Sequence, residues 1–239
     1  MVVKSQIKFI KSLQQKKNRL ENRLFTVEGK KLVFELLSSH FIAHSIYSTN
    51  PDLLLDKDLP NFLVNQKELN IMSSLKNPSD IIGVFQMPKT KSIDFSDWVI
   101  ALEDIQDPGN LGTIIRLCDW FDIKSIICSQ NTVDCYNPKV LQATMGSIAR
   151  VNICYGDLSA LISSSNSRVF GTFMDGESVY EQDLPDRGVL ILGNEGHGIS
   201  KSLDSIINQR ISIPQFGNTS AESLNVASAT AIFLNEIRR

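Results

Sequence analysis

The sequence has no apolar run approaching eighteen residues, so it predicts no membrane-spanning helix. Its first twenty residues alternate polar and basic side chains, whereas a secretory signal needs an apolar central region. We therefore expect a cytoplasmic protein. No CxxC pair is present, because Cys118, Cys128, Cys135 and Cys154 are separated by ten, seven and nineteen positions. This spacing argues against a zinc site or a redox dithiol and favours reduced cysteines that pack in the core.

Histidine is also scarce, with three residues in the chain. His40 and His44 are four positions apart, a spacing that puts two side chains on one face of a helix. Nothing in the neighbouring sequence completes a set of zinc ligands around them, so we predict no metal site.

The remaining composition is that of an ordinary globular protein: 239 residues, of which 42% are hydrophobic and 21% are charged. The net charge of −2 hides an asymmetry, because residues 1–31 carry about +7 and the remaining 208 residues about −9. A basic end on an acidic protein favours docking to a polyanion, with a solvated helix face as the alternative. The nine basic residues of this end are Lys4, Lys8, Lys11, Lys16, Lys17, Arg19, Arg23, Lys30 and Lys31.

Apolar periodicity divides the chain into two α/β regions. Residues 1–90 alternate short helices and strands, beginning with a helix whose apolar stripe is Ile7, Ile10 and Leu13. The polar segment 87–94 predicts a linker. The second region predicts a parallel sheet covered by helices on both faces. Its strands are expected near 98–102, 125–128, 151–154, 168–173, 188–192 and 211–213, with helices near 110–121, 138–147, 157–165, 200–208 and 223–238.

Two Gly-rich turns follow the last two predicted strands, at residues 193–200 and 217–225. Their glycines let the backbone approach a ligand, and their small polar residues supply free donors. A phosphate-binding P-loop is excluded because Ile199 stands where its lysine is required. A dinucleotide fingerprint is excluded because Gly193, Gly196 and Gly198 have the wrong spacing. Taken singly, each turn has an ordinary structural turn as its alternative.

A third segment, residues 105–116, follows the strand at 98–102 and opens a helix for which Asn110 is the predicted N-cap. The three segments resemble, in family order, the motifs of the SpoU or TrmH-like RNA ribose 2′-O-methyltransferases. They read Asp107-Pro-x-Asn-x-Gly-x-Ile-x-Arg116, Leu192-Gly-x-Glu-x-x-Gly-x-Ser200 and Ile213-Pro-x-x-Gly-x(4)-Glu-Ser-Leu-Asn-Val226. Residues 137–151 are similar to the family segment between the first two motifs. Residues 19–30 resemble the opening of the substrate-binding domain, related to ribosomal protein L30e, that precedes many members.

The resemblance implies a fold and partners. It implies a C-terminal parallel-sheet SPOUT domain with a deep trefoil knot over residues 97–239, preceded by an L30e-like RNA substrate-binding domain over 1–90. It further implies S-adenosylmethionine as cofactor, RNA as substrate, no metal and a homodimer. The last helix agrees with a dimer because it has two apolar stripes, and a helix with two packing faces needs partners on both sides.

By the same resemblance, Gly193, Gly196, Ile213 and Leu224 line the cofactor pocket, and the functional polar positions are Asn110, Arg116, Glu195, Ser223 and Asn225. A guanidinium is a poor proton acceptor. We therefore expect Arg116 to clamp the target phosphate, and the general base stays open. Glu195 either orients Arg116 or caps local amides. His197 is left out because the family pattern tolerates many residues there.

Three alternatives compete with this prediction. A noncatalytic RNA-binding member of the fold is expected to lack Asn110, Arg116 or the turn at Gly193, and all three are present. A hydrolase would need a Gly-x-Ser-x-Gly elbow, which the chain lacks. The basic N-terminal region favours ribosomal RNA as the substrate, with transfer RNA as the open alternative.

Overall fold

The computed structural model describes residues 2–54, 59–217 and 222–239. The chain folds into two compact units. The first unit comprises Met1–Lys89 and Asp134–Ala149, and the second comprises Thr90–Val133 and Arg150–Arg239. Among the described residues, no helix is both long enough and apolar enough to cross a membrane.

Nine α-helices and ten strands are present in the described residues. The helices are α1 (Lys4–Ser12), α2 (Lys16–Asn22), α3 (Lys30–Leu37), α4 (Gln66–Met72), α5 (Pro108–Trp120), α6 (Pro138–Thr144), α7 (Leu158–Ser163), α8 (Lys201–Asp204) and α9 (Val226–Ile237). The strands are β1 (Leu24–Glu28), β2 (Ala43–Ser48), β3 (Asn61–Leu63), β4 (Ile81–Gln86), β5 (Val99–Leu102), β6 (Ser125–Cys128), β7 (Asn152–Tyr155), β8 (Val169–Ser178), β9 (Val189–Leu192) and β10 (Gln209–Ser212).

The first unit is built on a four-stranded sheet of order β1-β4-β2-β3. Strands β1 and β2 run antiparallel to β4, and β3 runs parallel to β2. The predicted stripe of Ile7, Ile10 and Leu13 is buried in this unit's core. Because that face of the first helix is buried, its lysines Lys4, Lys8 and Lys11 are left exposed.

Residues 134–149 pack within the first unit, although the family motifs flank them on both sides. Arg19 is 2% exposed and bonds the Asp134 carboxylate through Nη2 at 2.5 Å. The Phe25 and Tyr136 rings lie 4.6 Å apart, and the Gln142 side chain donates to the Glu28 carbonyl. Arg19 is therefore a buried structural cation, unlike the other eight basic residues of the first 31, which are exposed.

The second unit is a six-stranded sheet of order β10-β8-β9-β5-β6-β7, and every neighbouring pair is parallel. The predicted parallel α/β sheet is confirmed. From β5 the chain moves outward through β6 and β7, and it later returns to the other side of β5 with β9. The loops that follow β5 and β9 therefore diverge at a topological switch point, where open α/β sheets bind ligands.

The prediction that Asn110 is an N-cap was wrong. Asp107 caps α5, and its carboxylate accepts the Asn110 N–H at 2.8 Å. Pro108 occupies the first helical turn, where its fixed φ suits the helix and its missing N–H costs nothing. Asn110 consequently lies inside the first turn, and its side chain is free to bond elsewhere. His44 lies in a strand, so it shares no helix face with His40.

Candidate functional site

A cavity of about 670 Å³ lies at the switch point of the second unit. Four segments wall it: strand β8, the Gly-rich loop after β9 (residues 193–198), the chain after β10, and the start of α9. Most of its lining is aliphatic or aromatic, and Glu195 is the one formally charged residue among the described residues that line it. The described lining residues are Thr172, Phe173, Met174, Leu192, Gly193, Asn194, Glu195, Gly198, Ile213, Pro214, Gln215, Phe216, Ser223, Leu224, Val226, Ala229 and Phe233.

Five of the nine residues singled out from the sequence line this cavity. These are Gly193, Glu195, Ile213, Ser223 and Leu224. The other four lie outside the lining: Asn110, Arg116, Gly196 and Asn225. Two of those four, Asn110 and Asn225, are nevertheless bonded into the same constellation.

Asn110 connects the three motifs through its side chain. Its Nδ2 donates to Glu195 Oε1 at 2.7 Å, and its Oδ1 accepts from Asn225 Nδ2 at 2.9 Å. Glu195 belongs to the second motif and Asn225 to the third. Asn110 therefore fixes one side of the cavity's wall to the helix that begins with the first motif.

Asn225 is itself held by the helix that it caps. Its Oδ1 accepts from the backbone N–H groups of Ala227 and Ser228, at 2.9 and 3.3 Å. This capping fixes which end of the amide is the oxygen, so Nδ2 must face Asn110. The polar constellation is thus ordered by the helix N-terminus.

The Gly-rich loop is shaped by Asn194. Its Oδ1 accepts from the N–H groups of Gly196 and His197, while its Nδ2 donates to the Asp104 carbonyl at 2.8 Å. A Cβ on Gly193 would lie 2.3 Å from the Gly198 carbonyl carbon. Gly193 is therefore required for the loop to close on itself, in addition to any approach to a ligand.

Arg116 lies on the exposed surface of α5, two turns after the cap. Its side chain makes no hydrogen bond and no ion pair with any described residue. The sequence predicts that Glu195 orients Arg116 or caps local amides. The described contacts show neither role, because the Glu195 carboxylate accepts from the Asn110 side chain. Arg116 is thus left available for a group from outside the chain.

Sequence reasoning missed part of this site. Asn194 was one of the variable positions of the second motif, and its role becomes visible only from the bonds it makes. Thr172, Phe173 and Met174 lie on β8, a strand that carries no motif, and nothing in their local pattern signals a binding wall. No cluster of three or more metal-ligating side chains is present within residues 2–54, 59–217 and 222–239.

Comparisons with known proteins agree with the resemblance. Residues 97–235, more than half of the chain, match the SpoU rRNA Methylase family model. Residues 4–83 match the model of an MRM3-like substrate binding domain.

The solved structures that this chain resembles include a protein assigned to the TrmH family from Porphyromonas gingivalis. It is 35% identical, with a TM-score of 0.92, over 100% of this chain and 98% of that one. An AdoMet-bound rRNA methyltransferase from Sinorhizobium meliloti is 29% identical, with a TM-score of 0.88, over 100% of this chain and 95% of that one.

Among characterised sequences, the chain is 29% identical to the 23S rRNA (guanosine(2553)-2′-O)-methyltransferase RlmP of Bacillus subtilis, over 97% of this chain and 95% of that protein. The family predicted from three short motifs is confirmed by a match that spans residues 97–235. The chain belongs to the SpoU rRNA methylase family.

Proposed function

We propose that this protein transfers a methyl group from S-adenosylmethionine to a ribose 2′-hydroxyl of structured ribosomal RNA. Its family membership makes it an RNA ribose methyltransferase that uses this cofactor. The proposal concerns how the described residues serve that reaction and which RNA is the substrate.

The observation that carries the proposal is the chemistry of the cavity. Its volume of about 670 Å³ falls in the range of small-molecule sites. A phosphate-bearing cofactor would need cations or converging donors, and the described lining contains no lysine or arginine. An apolar wall with one carboxylate suits a cationic ligand with a large uncharged body. S-adenosylmethionine has this character.

When bound, S-adenosylmethionine supplies an electrophilic methyl group on a sulfonium, which needs no metal to activate it. The protein must therefore hold the acceptor oxygen in place and favour its deprotonated form. Arg116 is a cation on the same helix as Asn110 that forms no ion pair with the described residues, and its planar fork suits a phosphate of the target nucleotide. We assign Arg116 to that clamp, and we assign Asn110 and Asn225 to keeping Glu195 at the cavity wall.

The first unit supplies the cations for RNA docking. Eight of its first nine basic residues are exposed and form no ion pair with the described residues. Lysines also occupy the first turns of α1, α2 and α3, with no acidic residue in any of those turns. Helix dipoles favour acidic residues at these positions, so the arrangement lowers stability while concentrating positive potential. We infer that residues 1 to about 90 select the RNA.

Ribosomal RNA is favoured over transfer RNA for two reasons. The relative RlmP, which is named for 23S rRNA, aligns with nearly all of this chain, including the basic first unit. The family model is also that of rRNA methylases. We further expect the target to lie in a loop or bulge, because a regular duplex would hold its 2′-hydroxyl away from a recessed cavity.

We infer a homodimer, supported by Trp120, which is 83% exposed on α5, a helix that packs against α9. Light scattering on Trp120→Arg should then report monomers, whereas an unchanged mass would exclude that helix from the interface. We also infer the family's trefoil knot in the C-terminal segment and a cytoplasmic site of action.

The cavity assignment can be tested by filling it. Ala229 lines the cavity from α9, whereas Asn235 lies on the exposed surface of the same helix. Ala229→Phe should abolish binding of S-adenosylmethionine in calorimetry, and Asn235→Phe should leave it unchanged. Equal affinity in both folded variants would show that the cofactor binds elsewhere.

The substrate assignment needs a different measurement. Ribose methylation can be mapped across all RNA from cells with and without the protein. We expect one or a few 2′-O-methyl groups to disappear from ribosomal RNA. Their loss from transfer RNA instead would select the alternative substrate.

A further inference from the structure

Asp104 stands between the sheet and the first motif in an unusual backbone conformation. Its φ is +55°, one of four positive values among the described residues other than glycine. Left-handed backbone is disfavoured for residues with a Cβ, although aspartate tolerates it better than most. Such a conformation persists only where the surroundings hold it.

Every polar group of Asp104 forms a hydrogen bond with a neighbouring loop. Its N–H donates to Ser129 Oγ at 2.9 Å, and the same hydroxyl donates to Asp104 Oδ1 at 2.6 Å. Asn131 Nδ2 donates to Oδ2 at 3.3 Å. Ser129 and Asn131 both lie in the loop after β6, so that loop fixes the direction of the Asp104 carbonyl.

The Asp104 carbonyl anchors the Gly-rich loop. It receives Asn194 Nδ2 at 2.8 Å, and Asn194 in turn receives the N–H groups of Gly196 and His197. Glu195 lies inside this folded segment, lines the cavity and bonds Asn110. A continuous chain of hydrogen bonds therefore runs from the loop after β6, through Asp104, to the Gly-rich loop that carries the carboxylate at the cavity.

We propose that Asp104 is a positioning residue for the methyl-transfer site: its left-handed turn, held by Ser129 and Asn131, aims the carbonyl that sets the shape of the Gly-rich loop and the location of Glu195. The functional part of this inference rests on the proposed function. If Asp104 relaxes to an extended backbone, its carbonyl turns away, and Asn194 loses the acceptor that fixes its amide. The loop then samples other shapes, and the carboxylate of Glu195 leaves its place at the cavity wall.

The chain provides a matched control in Asp122. This residue also belongs to the second unit and has a φ of +57°, but it is exposed, and its carboxylate pairs with Lys124. Asp122→Ala and Asp104→Ala impose the same left-handed strain on alanine. Only the second removes the support of the Gly-rich loop, so the pair separates positioning from a general loss of stability.

The first readout needs no cofactor. Amide hydrogen exchange in the full-length protein should show faster exchange at Gly196 and His197 in Asp104→Ala, with no change there in Asp122→Ala. Unchanged protection at both amides in Asp104→Ala would overturn the proposal. Because this measurement involves neither cofactor nor RNA, its outcome is independent of whether the proposed function is right.

The second readout is cofactor affinity by calorimetry. Asp104→Ala should raise the Kd for S-adenosylmethionine by about tenfold or more, while Asp122→Ala should leave it unchanged. Asp104→Asn keeps the shape and the tolerance for left-handed backbone, so it should restore most of the affinity. Asp104→Gly should fall between Ala and Asn, because it restores only the backbone. Equal Kd values for the two alanine variants would contradict the proposal, whereas failure of the wild-type protein to bind the cofactor would contradict the proposed function.

Discussion

The two units use their positive charges in opposite ways. Among the described lysines and arginines of the first unit, Arg19 is the one that forms an ion pair with a described residue, and the lysines of the first three helices are exposed. In the second unit, four of seven arginines form ion pairs with described carboxylates: Arg150, Arg210, Arg238 and Arg239. The exposed cations of the first unit are crowded into 31 residues, where they repel one another and lower stability. Their presence therefore favours an external anion as their partner. Paired arginines therefore stabilise the second unit, whereas the first unit keeps exposed, unpaired cations that we propose to dock RNA.

Arg19 is the exception that tests this comparison most strongly. It is buried, bonds Asp134 through both Nε and Nη2, and donates to the carbonyls of Leu13 and Gln14. Arg19→Ala leaves the Asp134 carboxylate buried without its cation, so it should destabilise the protein by about 3–5 kcal/mol. Denaturant unfolding measures this loss, and Lys17→Ala is the exposed control expected to stay within about 0.5 kcal/mol. A small effect would contradict the assignment of Arg19 as a structural cation.

Arg116 is the counterpart in the second unit, an exposed cation whose side chain pairs with no described residue. Arg116→Lys keeps the charge but loses the planar fork, so turnover should fall by about tenfold to a thousandfold while cofactor affinity stays similar. Arg187 is also exposed and free of described ion pairs, so Arg187→Lys is the matched control and should keep its activity. Near-full turnover in Arg116→Lys would rule out the clamp.

The lysines at the helix starts of the first unit should affect both the free energy of unfolding and the affinity for RNA. Lys30 and Lys31 occupy the first turn of α3, where acidic residues are favoured. The double variant Lys30→Glu with Lys31→Glu should therefore raise the free energy of unfolding by about 0.5–2 kcal/mol while weakening RNA binding. The slope of log K against log salt should fall by about 0.7–0.9 for each phosphate that the variant no longer neutralises. Filter binding and thermal unfolding give the two values.

The control for this pair is Lys76→Glu, which makes the same kind of charge change in an exposed loop beyond residue 31. It should leave RNA affinity nearly unchanged and give no gain in stability. If Lys76→Glu weakens RNA binding as much as the double variant, the effect comes from net charge and the docking surface is not confined to the basic end.

The smallest expected effect concerns a structural pair in the second unit. Hydrogen bonding from Arg238 lowers the pKa of Asp97 below its usual value, opposed by partial burial. A lowered folded pKa adds stability that is present above the unfolded pKa of about 3.9 and lost as pH falls through the folded pKa. Because the pair is partly exposed, Asp97→Asn should cost at most about 1 kcal/mol at pH 7 and less in acid, near the folded pKa. If the stability cost of Asp97→Asn does not change with pH, the ion pair between Asp97 and Arg238 is not its source.

Much of the fold could be predicted from the sequence because local patterns carry it. The apolar runs of the buried strands and the stripe of the first helix are visible without any partner. The order of the three motifs was sufficient for the family. Asn110 was mistaken for a cap because Asp107 and Pro108 together form a stronger helix start than asparagine alone.

Long-range packing could not be predicted in the same way. Residues 134–149 lie between two family motifs, yet they pack in the first unit through Asp134, Tyr136 and Gln142. No local pattern reports such partners, which are more than a hundred positions away along the chain. This packing limits the use of a truncated protein. A chain that began near Ile93 would lack the first-unit partners of residues 134–149. Charge reversals in the full-length protein are therefore better tests of RNA docking.

Methyl transfer to ribose is tested most directly with S-adenosylmethionine that carries an isotopic label on its methyl group. The purified full-length protein is incubated with this cofactor and unmodified ribosomal RNA, and the RNA is then hydrolysed in alkali. Alkaline cleavage needs a free 2′-hydroxyl, so label on that oxygen should remain in an uncleaved dinucleotide, and Arg116→Lys should transfer far less of it. Label recovered in mononucleotides would locate the methyl group on a base, and the absence of any transfer by a protein that binds the cofactor would contradict the account.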